Sequence, residues 1–403
     1  MIQTIIAHTS EVDDAKVAVA DILSQIDLTA LKKNSVGIIH CYNEFADSGV
    51  LKAICKNLPF ECVGMSSSYL ASNSFYGSTI FALTVLTSDD CKFKSGVSAP
   101  VTALSGEPIK NLVEQVAGTS QSGNSQSGTS QSGEREVPKL LLTFLPLSQK
   151  VSGDFFIDKL NEYAPGIPAF GSAAATDEIG CEDNYTVFCG ETFTESMALV
   201  AIYGNLNPHF HRVMVSKEKF LKQKAVITKI TGNHLQRIDD GTTLAFLRKV
   251  NLIKTDAIDS SYMITFPFVA ELPDGTRKVR SVMSATEEGG VLLAGSLPEN
   301  TPFSIGILTS DDVLETAREM VHEILPIAEQ EHRTILFYTC IARIWVMSMN
   351  SESSVEFLSV QRKIDDRADF LMSSSGSEII PQITDDGKVI NTLQNCSFVC
   401  CIL

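Results

Sequence analysis

Leu140-Leu141-Leu142-Thr143-Phe144-Leu145, a helical stretch around Phe156–Leu160, then Ala164-Pro165-Gly166-Ile167-Pro168-Ala169-Phe170-Gly171-Ser172-Ala173-Ala174: this segment decides how the chain reads. A continuous apolar hexapeptide fits a strand buried on both faces. About a hundred residues earlier the same order occurs. Val36-Gly37-Ile38-Ile39-His40-Cys41 leads into a helix-like segment around Leu51–Ile54 and then Leu58-Pro59-Phe60-Glu61-Cys62-Val63-Gly64-Met65-Ser66-Ser67. Each copy continues into a second apolar run (Ser78–Leu86; Ser196–Tyr203) and a basic-aromatic strand (Lys92-Phe93-Lys94; His209-Phe210-His211-Arg212). Matching element order, not residue identity, predicts a duplicated α/β unit. In both copies a buried strand meets a glycine followed by small side chains, a place where backbone N–H groups can approach a small ligand. Gly171 and Ser172 are therefore candidate ligand-binding residues, with Gly64 as the structural echo.

Working outward, Ile2–Ala7 reads as a strand, and Val12, Ala15, Val19, Ile22, Leu23 and Ile26 recur at helical spacing behind a Ser10 N-cap. Between the two copies lies Thr119–Gly133, three near-identical pentapeptides within a Gly/Ser/Gln tract at 119–135. It has nothing to bury and predicts a flexible loop, spanning roughly 20 Å as a random coil. After residue 222 the pattern turns strand-rich: Ala225–Gly232, a short helix at Asp240–Val250, then strands at Tyr262–Leu272, Lys278–Met283, Val291–Ala294 and Phe303–Leu308. Pro273-Asp274-Gly275 supplies a hairpin turn. Ser310 reads as the cap of an amphipathic helix, and a buried strand follows at Thr334–Cys340. The expected fold class is α/β and α+β. A duplicated α/β region with mixed sheets covers 1–222, and a strand-rich α+β domain covers 223–403.

The totals narrow the function. A chain of 403 residues exceeds one compact core. Its net charge of −16 argues against nucleic acid or an anionic membrane as partner, since phosphate binding needs clustered Lys and Arg. The first fifteen residues lack Lys and Arg, so no secretory n-region is read, and no apolar stretch is long enough for a bilayer. A cytoplasmic location is expected. Ten cysteines (41, 55, 62, 91, 181, 189, 340, 396, 400 and 401) show neither CxxC spacing nor a disulfide framework, and most sit in apolar runs as small hydrophobes.

Four stretches of the C-terminal half stand out: Val279-Arg280, Thr339-Cys340-Ile341-Ala342-Arg343, Gly376-Ser377-Glu378-Ile379-Ile380-Pro381 and Asn391–Asn395. Here the chain resembles the FIST domains (F-box and intracellular signal transduction proteins). The family's Ser-Cys-x-x-Arg at a strand end is similar to Thr339 to Arg343, its Gly-Glu-Ile-x-Pro turn to Ser377 to Pro381, and its closing Asn-x-Thr to Asn395-Cys396-Ser397. A strand with Gly-Asn before an acidic Gly turn is similar to Thr228-Lys229-Ile230-Thr231-Gly232-Asn233 and Asp239-Asp240-Gly241. The resemblance covers the chain from about Ser35 onward, and its weight lies in motif order. Ser377 departs from the family's usual glycine, and Leu371-Met372-Ser373-Ser374 replaces the usual aromatics. The resemblance implies a sensory module for small ligands, amino acids first among them, coupled to a separate downstream signalling protein.

The residues are compatible with that expectation. Arg343 and Arg280 could fork a carboxylate while Glu378 receives an ammonium group, with Cys340 alongside. The alternative is a structural ion pair between Arg343 and Glu378. Two other functions stay open. His209 and His211 share a strand face, and His234 follows Gly232; these are candidate haem or metal ligands for a haem-based gas sensor, though an exposed pair is the plainer reading. Cys340 could be a nucleophile, but no His lies nearby in sequence to activate it. No catalytic motif is present, so no enzyme and no cofactor are expected. Cys400-Cys401-Ile402-Leu403 formally matches a prenylation box, against which stands the reading of a buried terminal strand.

Overall fold

The computed structural model describes residues 2–102, 105–118, 136–147, 150–176, 184–222, 224–254, 258–331 and 333–403. The Gly/Ser/Gln tract at 119–135 and Cys181 lie outside the described residues.

Both copies anticipated from element order are present, but the basic-aromatic strands expected to end them, Lys92–Val97 and His209–Val213, instead pair as edge strands of the following units, and a third unit completes the set. Unit I runs edge strand Gln3–Thr9, helix Ala15–Ser24, first strand Asn34–Cys41, helices Glu44–Asp47 and Val50–Lys56, and second strand Cys62–Ser66. A hairpin (Leu70–Ser72, Tyr76–Gly77) and third strand Phe81–Ser88 close it. Unit II repeats the order with Lys92–Val97, helix Glu107–Val116, Leu140–Leu145, helix Gly153–Tyr163, Ala169–Ala173, hairpin Thr186–Phe188/Glu191–Phe193, and Ala198–Tyr203. Unit III uses His209–Val213, helix Ser310–Glu331, Ile335–Cys340 and helices Ile341–Ser348 and Val355–Ile364. It ends with Phe370–Ser375, hairpin Ser377–Ile383/Val389–Gln394, and Phe398–Ile402.

Strand pairing is the same in all three. The first and second strands are parallel, joined through helix as a parallel pair requires. The third strand lies antiparallel on the other side of the first, and the edge strand beyond it. Each hairpin leaves its own unit. That of unit I extends the sheet of unit III, that of unit II extends unit I, and that of unit III extends unit II. The ring of exchanged hairpins laces 1–222 and 223–403 together.

The inner sheet faces meet in one core holding Ile38 and Val63 of unit I, Leu142 and Phe170 of unit II, and Tyr338 and Leu371 of unit III. Separate clusters seal each outer face to its helices, through Ile22 and Leu51, Leu112 and Leu160, and Ile324 and Val360. The result is a three-sided body of sheets with helices outside. Within unit III, an insert between His209–Val213 and Ser310–Glu331 forms its own sheet. Its strand order is Arg277–Arg280, Phe268–Glu271, Thr301–Ile305, Ala225–Thr231, His234–Ile238, Val291–Leu293 and Val282–Ala285.

Several expectations need correction. The first helix is capped by Asp14, not Ser10, through bonds to the N–H groups of Lys16 and Val17. The long helix is capped by Thr309, not Ser310: Thr309 and Asp312 exchange backbone-to-side-chain bonds of 3.0 and 3.3 Å in a capping box. Tyr262 falls in a helical turn, Ser260–Met263, because Asp259 caps it, and the strand starts only at Phe268. Gly64 and Gly171 do occupy equivalent places, and each makes room for the backbone of the neighbouring strand. A Cβ on either would lie 1.8 Å from the carbonyl oxygen of the neighbouring strand, Ile39 O or Thr143 O. Cys400 is buried in a strand hydrogen-bonded along both edges, so the prenylation reading loses its accessible thiol. Among the described residues no helix is long and apolar enough to cross a membrane.

Candidate functional site

The exchanged hairpin of unit III carries Glu378 into unit II. Its register places Glu378 opposite Ser172 and Ile379 opposite Gly171. The first and second strands of unit III place Cys340 opposite Ser375. Topology thus gathers four of the anticipated residues, Gly171, Ser172, Cys340 and Glu378, at one seam between units II and III.

Glu378 is fully buried. Its Oε1 accepts from Ser375 Oγ at 2.8 Å, and its Oε2 accepts from Ser397 Oγ at 2.6 Å and Ser397 N–H at 3.3 Å. Burial nonetheless dominates and pushes its pKa up to about 8, against the pull of the Ser397 and Ser375 donors and the Cys340 thiol. The carboxyl is therefore mostly neutral at pH 7. Burial likewise pushes the Cys340 thiol well above its ordinary range, helped by the Glu378 and Cys396 charges, while the Ala342 and Cys396 N–H groups pull it down. A thiol so held is a poor nucleophile.

Beside this pair lies a cavity of about 50 Å3 lined by Cys340, Ala342, Trp345, Gly376, Ala175 and Asn395 of the body and by Ser281, Met283 and Ile264 of the insert. The insert roofs the strand ends. Asn395 Nδ2 donates to Ser377 Oγ at 2.8 Å, whereas its buried Oδ1 has no hydrogen-bond partner among the described residues. A buried acceptor without a donor is costly unless something else supplies one. Asn395 belongs to a motif noticed in the sequence, but nothing there distinguished it from a structural cap. Ser397 closes that same motif, while Ser281 and Trp345 gave no sequence signal.

The two arginines do not join the cavity. Arg280 is fully buried with Nη2 2.5 Å from Asp154 Oδ1, and it also donates to the carbonyls of Ser296, Val279 and Leu393. Burial pushes Asp154 up, but the Arg280 and Lys278 charges prevail and hold its pKa below the usual value. Arg343 pairs with Glu356 at 2.6 Å and donates to Val313 O and Thr316 Oγ1. The ion pair imagined between Arg343 and Glu378 is corrected accordingly: the carboxylate belongs to Glu356, thirteen residues along the chain, which also accepts from Thr339 Oγ1. The carboxylate-fork role finds the Arg280 guanidinium engaged, and Arg343 engaged through Nε and Nη2, while its buried Nη1 has no hydrogen-bond partner among the described residues.

His209 and His211 face Ile402 and Cys400 across the edge strand of unit III, and His211 Nδ1 is 3.8 Å from Glu323. His234 Nε2 lies 3.0 Å from Thr286 Oγ1 in the insert. No group of three or more His, Cys, Asp or Glu among the described residues is arranged to hold a metal ion.

The FIST N domain profile matches residues 35–241 and the FIST C domain profile matches 243–381. The chain is a FIST protein. Among curated proteins none matches it. FIST domains are sensory modules associated with small-ligand sensing in signal transduction, and the N and C profiles meet within the insert of unit III. In this FIST protein the seam at Glu378 is built from both profiles: Ser172 falls in the first and Glu378 in the second.

Proposed function

We propose that this FIST protein is a cytoplasmic sensor whose small ligand enters the cavity lined by Cys340 and Asn395, beside Glu378, and that the ligand is an amino acid or a related metabolite carrying an ammonium or N–H donor. One observation carries the reading: Asn395, a residue of the cavity lining, keeps a buried Oδ1 acceptor with no hydrogen-bond partner among the described residues. Adjacent Glu378 is a neutral acid that can give up its proton when a cation docks, since an opposite charge favours its ionised form. The present volume of about 50 Å3 holds little more than a water or two. A whole amino acid therefore requires the insert to lift from the body, and that movement is the signal a downstream protein would read. The free cysteines among the described residues fit a reducing compartment.

Melting curves against a panel of amino acids and simple amines test this. At least one should raise Tm by mass action, and the rise should shrink in Glu378→Gln. A panel that leaves Tm unmoved overturns the proposal.

A further inference from the structure

Cys55, Cys62 and Cys189 converge on the other seam, where the hairpin of unit II crosses onto the sheet of unit I. Cys189 and Gly190 form a two-residue hairpin loop with φ of 51° and 84°, both left-handed. Such a loop favours Asn or Asp ahead of glycine, so turn chemistry gives no reason for cysteine there. The N–H of Cys189 donates to Cys62 O at 2.7 Å, setting the two cysteines opposite each other. A Cβ built on Gly190 would lie 3.1 Å from Cys55 Cβ and 3.6 Å from its Sγ. The turn thus rests directly on the Cys55 thiol. Cys189 is exposed while Cys55 and Cys62 are buried, yet Cys55 and Cys189 line the same open surface hollow of about 610 Å3 with Lys52, Lys56 and Phe60.

We propose that Cys189 and Cys55 form a reversible dithiol–disulfide pair, a modification site whose co-substrate is a low-mass disulfide of the glutathione class. The Cys189 thiolate attacks one sulfur of the incoming disulfide, forming a mixed disulfide and expelling one thiolate. Cys55 then gives up its proton and attacks Cys189 Sγ, forming the protein disulfide and releasing the second thiolate. Two protein thiols are oxidised and one disulfide is reduced to two thiols, so electrons and protons balance. The hollow has room for the tripeptide; Lys56 and Lys52, the latter paired with Glu191 at 2.6 Å, line it together with Glu61, and Lys56 is the cation open to a carboxylate of the tripeptide. Burial raises the Cys189 thiol above its ordinary range, so the exchange accelerates with pH. The new bond would bolt the hairpin of unit II to the helix Val50–Lys56 of unit I.

The test incubates the native full chain with glutathione disulfide and maps thiols by mass spectrometry. Wild type should become lighter by two hydrogens and yield a peptide joining Cys55 to Cys189. Cys55→Ser should stop at a glutathione adduct on Cys189, and Cys189→Ser, an exposed and structurally mild change, should lose both products. Wild type that halts at the adduct, stays reduced, or links Cys189 to Cys62 overturns the proposal.

Discussion

His40 Nε2 and the Tyr338 hydroxyl lie 3.1 Å apart, joining the first strands of units I and III at the centre of the body. The Phe144 ring of unit II stands 5.9 Å from the His40 ring, so all three first strands meet at this imidazole. Burial lowers the His40 pKa to about 3. The neutral ring is the one the fold accepts. Its contribution is present above the ordinary histidine value near 6.5 and is lost as pH falls toward 3. In a Glu378→Gln background, which removes the opposing titration of that carboxyl, denaturant melts at pH 7, 5.5 and 4.5 should show falling stability. His40→Leu should flatten that fall while costing about 1 kcal/mol at pH 7 for the lost bond; an unchanged acid slope would count against this role.

Glu378 has the opposite sign. Its folded pKa of about 8 lies above the ordinary carboxyl value, so its contribution is complete below about 4.5 and is lost as pH rises through 8. Glu378→Gln should remove a decline in stability between pH 5 and 9 that wild type shows. Equal slopes in the two proteins would mean that the carboxyl is already ionised in the fold.

Gly64 and Gly171 should be equally intolerant. Gly64→Ala and Gly171→Ala each drive a methyl into a neighbouring carbonyl and should cost ~3 kcal/mol in urea unfolding. Gly387→Ala, left-handed but with open space around it, should cost only about 1 kcal/mol. A mild effect at only one of the first pair would break the equivalence of the two units.

Arg280 should behave as frame. Arg280→Leu leaves Asp154 buried without its main partner and should destabilise by ~3–5 kcal/mol. Adding Asp154→Leu should recover most of that loss. A single variant that folds as well as wild type but loses ligand response would instead restore Arg280 to the binding site.

The sequence made the repeated unit legible because each copy is a local run: buried strand, helix, second strand with a glycine. The third copy stayed hidden because the insert separates its edge strand at His209 from its helix at Ser310, breaking the local order. Hairpin exchange is non-local and leaves no periodicity. That is also why Glu378 could be singled out while its neighbour Ser172 across the seam could not be assigned to it. Arg280 and Arg343 attracted a ligand role because an arginine in a sequence shows its charge but not its partner. Asp154 lies more than a hundred residues from Arg280, and only packing reveals the pair. Asn395 was visible as a residue, yet its unpaired oxygen is a property of the folded cavity.

On the proposed binding mode, Asn395 Oδ1 accepts a hydrogen bond from a ligand donor. Titration calorimetry of the strongest binder from the amino-acid panel into wild type and Asn395→Ala tests it most directly. Loss of one hydrogen bond to a charged donor, about 1.5–3 kcal/mol, should weaken binding roughly 10- to 100-fold. Equal affinity in the two proteins would contradict the account.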